Sequence, residues 1–158
     1  MKKYEFTGET KRVELWNRTA TLHRIKATVE FGFVKVGELG GWIEKEENLS
    51  HEEKAWVWGN AKVCGDAKVW GNANVCGDAE VFLASHVLVM GSVGSRNDFT
   101  TFFRDKDNEI TVKCGCFLGK IDKFLEKVTQ THGNNKYALV YRAAVEVAKL
   151  QIELTERK

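Results

Sequence analysis

From Ala55 the chain reads AWVWGN, AKVCGD, AKVWGN, ANVCGD, AEVFLA, five hexads on one template. Ala recurs at 55, 61, 67, 73 and 79 and Val at 57, 63, 69, 75 and 81, while Gly59, Gly65, Gly71 and Gly77 each precede Asn or Asp. Apolar residues two apart suit a short strand, whose side chains alternate between faces. Gly followed by Asn or Asp then turns a corner, because these residues tolerate positive φ. Self-similarity this strict is the signature of a solenoid. It also assigns directions: Ala55 and Val57 point inward, whereas Trp56, Trp58, Cys64, Trp70, Cys76 and Phe82 point outward. Pro is absent from the chain, so Gly, Asn and Asp make its turns.

These hexads resemble the hexapeptide-repeat, left-handed parallel β-helix family, whose coils take about 18 residues each. The resemblance is strong over 55–82 and extends back through "GGWIEKEENLSHEEK" and on to Leu88. It implies a mainly β chain with C-terminal helices: a β cap over 1–36, a left-handed parallel β-helix of about three coils over 37–88, and a ββαα module over 89–158. On such coils Trp58 stacks over Cys76, Cys64 over Phe82, and Trp70 over Leu88. Cys64 and Cys76 fall on different walls and form neither a disulfide nor a shared metal site. Apolar groups on every wall mark interfaces. Trp56, Trp58, Trp70 and Phe82 are therefore the expected contacts of a homo-oligomer, a trimer by family resemblance.

The flanks carry ordinary secondary-structure signals. "TLHRIKATVEFG" alternates His23, Ile25, Ala27, Val29 and Phe31 with polar residues, as a half-buried strand does. "FTTFFR" and "EITVKC" flank the turn sequence "DKDN" and predict a hairpin. Ile121, Phe124, Leu125 and Val128 have the spacing of an amphipathic helix stopped by Gly133. Asn134 or Asn135 caps a second helix, expected from about Lys136 to Glu156.

Charge narrows the partners. A net charge of +2 over 158 residues is not that of a duplex nucleic-acid binder. Residues 37–54 hold two Lys and six Asp/Glu, whereas 88–158 hold twelve Lys/Arg and nine Asp/Glu. An anion is thus expected toward the C-terminal part. "MKKYEF" has no apolar stretch behind it and no run is long enough to cross a bilayer, so a cytoplasmic protein with four free thiols is expected.

No catalytic set stands out. The family implies acyl transfer from acyl-CoA with a His base, for which His86 is the one candidate near the coils. A zinc hydrase site needs three convergent His, and His23, His51, His86 and His132 occupy unrelated phases. Cys114 and Cys116 lack the further ligands a zinc site requires, and only His132 is near enough in sequence to serve as a base. Neither a metal nor a cofactor is expected.

The stretch "GSVGSRNDFTTFFR" is more suggestive. Gly-rich backbone amides, hydroxyls and guanidinium groups suit a phosphate. Ser95, Arg96, Asn97, Thr100 and Arg104 are candidate ligands, with Lys113 adding charge and Phe102 available to stack on a base. "GGWIEKEENLS", the "VxGNA/VxGDA" repeats and "VKCGCFLGKIDKF" together resemble small proteins of phages and prophages. The anion-suited segment, the lack of a catalytic set and this likeness together point to a non-enzymatic, oligomeric binder of a phosphorylated nucleotide, the expected ligand being an immune second messenger that the protein sequesters. Acyl transfer is one alternative, and a structural or host-protein-binding inhibitor module is another.

Overall fold

The two-residue period that builds the hexads also governs their flanks, and it organises the chain around three apolar cores. The computed structural model of the protein describes residues 2–154. Strands β1 (Tyr4–Glu14) and β2 (Thr19–Ala27) form a long antiparallel hairpin, and β2 also pairs antiparallel with β3 (Leu39–Ile43). Four two-residue strands follow: β4 (Trp56–Val57), β5 (Lys62–Val63), β6 (Asn74–Val75) and β7 (Glu80–Val81). The chain then enters β8 (Val87–Val93), β9 (Asp98–Arg104), β10 (Ile110–Cys114) and β11 (Phe117–Lys120). Helices α1 (Ile121–His132) and α2 (Lys136–Gln151) close the described chain.

This topology corrects the expectation of a left-handed parallel β-helix. The two larger sheets are mixed or antiparallel, a five-stranded sheet in the order β1-β2-β3-β5-β7 and an antiparallel four-stranded sheet β11-β10-β9-β8, beside the short parallel pair β4-β6. Parallel pairing does occur at the 18-residue offset, Trp56 opposite Asn74 and Lys62 opposite Glu80, but only in two-residue ladders. One of those ladders continues a sheet whose other half is the antiparallel N-terminal hairpin. The physical reason is that hexads specify their own corners but not what pairs with their edges. A free ladder edge recruits whatever strand the flanks supply, and here they supply long hairpins.

The local reading of the repeat does hold. Gly59, Gly65, Gly71 and Gly77 all adopt positive φ, and Ala55, Val57, Ala61, Val63, Ala67, Val69, Ala73, Val75, Ala79 and Val81 are buried. The outward wall is different, because the flanks cover it. Trp56 is fully buried against Tyr4 and Phe31, which corrects its expected exposure. Cys64 is buried with Trp42, Ala20 and Leu22, and Cys76 is buried too. Phe82 lies under the Arg104 guanidinium at 5.0 Å, and Trp58 donates its indole N–H to Asn74 Oδ1 at 3.0 Å. Only Trp70 of this set stays half exposed, edge-on to Phe99.

The hairpin covers two walls by changing parity. β2 buries Ala20 and Leu22 in one core, then Ile25 and Ala27 in another. Register shifts on both sides of the strand, between Phe6 and Thr10 and between Arg24 and Lys26, accompany the change. His23 is not in the apolar set; it is half buried and stacks on Phe6. The ββαα tail likewise gains two strands, β8 and β11, and α2 ends at Gln151. The expected terminus of α2 at Glu156 lies outside the described residues.

One polar residue ties the lead-in to the repeats. Asn48 is fully buried, and its Oδ1 accepts from the amides of Glu44 and Lys45 at 3.1 and 2.9 Å. Its Nδ2 donates to the carbonyls of Gly65 and Ala67 at 3.0 and 2.9 Å. Asn48→Ala removes these four hydrogen bonds, and of the four backbone groups the Glu44 amide keeps another partner, the Val63 carbonyl at 3.1 Å; a loss of about 3–5 kcal/mol is expected in urea denaturation. A loss under about 1 kcal/mol would show that water replaces the side chain.

Candidate functional site

β9 divides the tail's residues between two sides. Phe103 joins the core of the repeats, whereas Phe102 joins the core beneath the helices with Val112, Phe124 and Val145. The expected stacking role of Phe102 is thereby corrected: the ring is fully buried, edge-on to Phe124. Lys113 donates to the Gly115 carbonyl at 2.7 Å and does not line the pocket described below. Arg104 belongs to a different cleft, beside Phe82 and Glu80. Asn97 serves the backbone, at φ 47° in a turn whose amide donates to Gly94 O at 3.3 Å. Asn takes this left-handed conformation more readily than other non-Gly residues.

The remaining expected residues do come together. Ser95, Arg96 and Thr100 line a pocket of about 230 Å³ between the end of the four-stranded sheet and the two helices. The opposite lip comes from Cys114, Gly115 and Cys116, and the helices contribute Lys127, Thr131, His132 and Tyr141. Gly94 has φ 79°, and a Cβ there would run into the Tyr141 hydroxyl, so the turn needs Gly both for its conformation and for the helix's approach. The Tyr141 hydroxyl sits against Ser95 and Cys114, and burial pushes its pKa up. His132 stacks on Tyr141 with ring centroids 5.8 Å apart. Arg96 lies across Gly115, where a Cβ would come within 2.9 Å of Nη1.

Electrostatics distinguish this pocket. Among the described residues, neither Arg96 nor Lys127 has an ion-pair or hydrogen-bond partner, although Asp98 also lines the pocket. Asp98 turns Oδ1 back onto the Phe99 amide at 2.7 Å. Two unpaired cations with Ser95, Thr131 and a His edge present donors to an anion. Cys114, Cys116 and His132 do meet at this pocket. Thr100 Oγ1 donates to Cys114 Sγ at 3.4 Å, and among the described residues no hydrogen bond joins His132 to either thiol.

Lys127, Thr131 and Tyr141 were not among the residues expected from sequence. Lys127 and Thr131 are four apart beside the apolar stripe of Phe124 and Val128, so they border the buried face of α1. That spacing was the available signal. Without the position of the Ser95 turn it reads as an ordinary solvated face.

The acyl-transfer candidate is placed unfavourably. His86 is buried, and its Nδ1 accepts from the Phe82 and Leu83 amides at 3.0 and 3.2 Å, while Nε2 is buried with no partner among the described residues. A ring whose accepting nitrogen is already engaged offers no free base to a substrate. Among the described residues no group of three or more His, Cys, Asp or Glu is placed to hold a metal, and no helix is long and apolar enough to cross a membrane. No protein-family model matches the chain, and the search of curated proteins gave no match.

Burial, with the Arg104 charge, pulls His86 down to about 4 from an ordinary 6.5. Between pH 6.5 and 4 the unfolded chain then takes up a proton that the folded chain refuses. Stability is expected to fall on acidification through this window by on the order of 3 kcal/mol from this group. Denaturation midpoints of the native protein and of His86→Asn, compared at pH 7 and 4.5, check it. The variant keeps an acceptor and should lose less stability over that interval; equal losses would contradict the assignment.

Proposed function

We propose that this protein is a non-enzymatic binder of a phosphorylated nucleotide, with the phosphate held by Arg96 and Lys127. The observation that carries this reading is the convergence of two unpaired cations at one pocket between sheet and helices. Ser95 and Thr131 supply hydroxyl donors. His132, Tyr141 and Phe117 supply rings, and so take the role expected of Phe102. At about 230 Å³ the pocket falls below the roughly 300–1,000 Å³ typical of drug-sized ligands. One subunit therefore suits a mononucleotide, and a larger nucleotide requires walls from a second copy in a homo-oligomer. The resemblance to small phage proteins supports a sequestering role, with an immune second messenger as the nucleotide withdrawn from the host.

The alternatives draw less support from the geometry. Acyl transfer lacks an available base at His86, and the expected Trp wall for a host protein is largely covered, with Trp56 inside the chain.

Isothermal titration with 5′-mononucleotides and inorganic phosphate tests the proposal. Micromolar or tighter mononucleotide binding is expected, weakening by at least about tenfold in Arg96→Ala and in Lys127→Ala, since a charge-assisted hydrogen bond contributes about 1.5–3 kcal/mol. Affinity should fall as salt rises. Absence of binding to the whole panel, or binding that both variants retain, would overturn it.

A further inference from the structure

A second and larger cleft, of about 1140 Å³, lies where the turn of the N-terminal hairpin faces the last repeats and the end of β9. It shares no lining residue with the Arg96 pocket. Its rim cations are already neutralised. Arg18 makes a two-pronged contact with Glu44, at 2.6 and 2.9 Å, and draws the Glu44 carboxyl down to about 2. Lys45 meets Asp66 at 3.4 Å, and Lys106 meets Asp78 at 3.5 Å.

Deeper in, the pairing is incomplete. Arg104 is 7% exposed and donates from Nε to the Glu80 carbonyl at 3.1 Å. Its Nη2 stands 3.8 Å from Glu80 Oε1, beyond hydrogen-bonding distance, and its other N–H groups have no partner among the described residues. His86 is 2% exposed; because Nδ1 accepts two amides, the ring proton sits on Nε2, which has no acceptor among the described residues. Both residues line the cleft. A buried donor without a partner costs about 1–3 kcal/mol and is uncommon in native proteins. The His86 Nε2–H is such a donor, and beside it the Arg104 guanidinium keeps N–H groups without a hydrogen bond among the described residues; together they call for an acceptor from outside the chain.

The surroundings define that acceptor. A carboxylate presents two oxygens to a guanidinium in matching geometry. A phosphate dianion would add repulsion, because Glu14, Glu44, Glu80 and Glu153 also line the cleft. One wall is apolar and open, with Trp16 92% exposed and Leu83 and Leu154 about half exposed, and with the Phe82 ring in the same lining. We propose that this cleft binds a monocarboxylate on an apolar body, its carboxylate on Arg104 and the His86 Nε2–H, its apolar part against Phe82, Leu83 and Trp16. Either the C-terminus of an apolar peptide or a free aliphatic acid has this chemistry.

Titration of the full chain with N-acetyl-leucyl-leucine and with octanoate, each beside a neutral counterpart (the peptide amide and octanol), distinguishes the two sources. At least one acid is expected to bind, with its neutral counterpart at least tenfold weaker. Arg104→Gln should reduce affinity at least tenfold, and so should Leu83→Asp, a surface change that leaves the buried residues in place. Arg96→Ala should leave this affinity unchanged, which separates the cleft from the nucleotide pocket. The proposal is overturned if neither acid binds, if the neutral counterparts bind equally well, or if Leu83→Asp and Arg104→Gln both retain affinity.

Discussion

The structure turns on a pair of adjacent phenylalanines. Successive side chains of a strand point to opposite faces, so Phe102 and Phe103 enter two different cores, one beneath the helices and one inside the repeats. β8 repeats the arrangement, with Val87 and Val89 packed on the repeat side and Leu88 and Met90 on the helix side. A sheet buried on both faces cannot slip by one residue, because slippage would exchange the two sets. That fixed register is what holds the Ser95 turn and the Cys114–Cys116 turn at one end of the sheet, where α1 and α2 meet them. Arg104, at the other end of β9, is delivered by the same register into the hairpin cleft.

The two recesses differ in how charge is handled. In the hairpin cleft the rim cations already have carboxylates, and what remains is the His86 Nε2–H, unpartnered among the described residues, beside a guanidinium that Glu80 engages only in part. In the smaller pocket Arg96 and Lys127 stand without partners among the described residues, next to hydroxyls and rings. The first arrangement suits one monoanionic head on an apolar ligand. The second suits a group with more negative charge, as a phosphate has. Arg96 and Arg104, eight residues apart on one stretch of sequence, therefore do different work.

Much of the repeat was legible because its information is local. Val57, Val63, Val69, Val75 and Val81 are buried, and their glycines turn at positive φ, as the hexad pattern requires. The left-handed parallel β-helix was a wrong extrapolation from that local rule. Strand partners are chosen at long range, and β1 shows no period to announce it: from Glu5 to Thr10 every residue is exposed. Trp56 illustrates the result, an outward residue that the hairpin then buries. The Gly-Ser-Arg turn was recognisable from composition, but its helical half was not, since Lys127 and Thr131 on their own resemble any polar helix surface. Phe102, Arg104 and Lys113 were grouped with that turn by sequence proximity, and the geometry disperses them.

The central claim is that one end of the four-stranded sheet, closed by α1 and α2, is a phosphate-binding pocket. Amide NMR during titration with a 5′-mononucleotide tests it most directly. The account requires the largest shifts at Ser95, Arg96, Gly115, Cys116, Thr131 and His132, with residues around Arg18, Glu44 and Leu83 unmoved. Shifts concentrated in the hairpin cleft, or no saturable shift at the Ser95 turn, would contradict it.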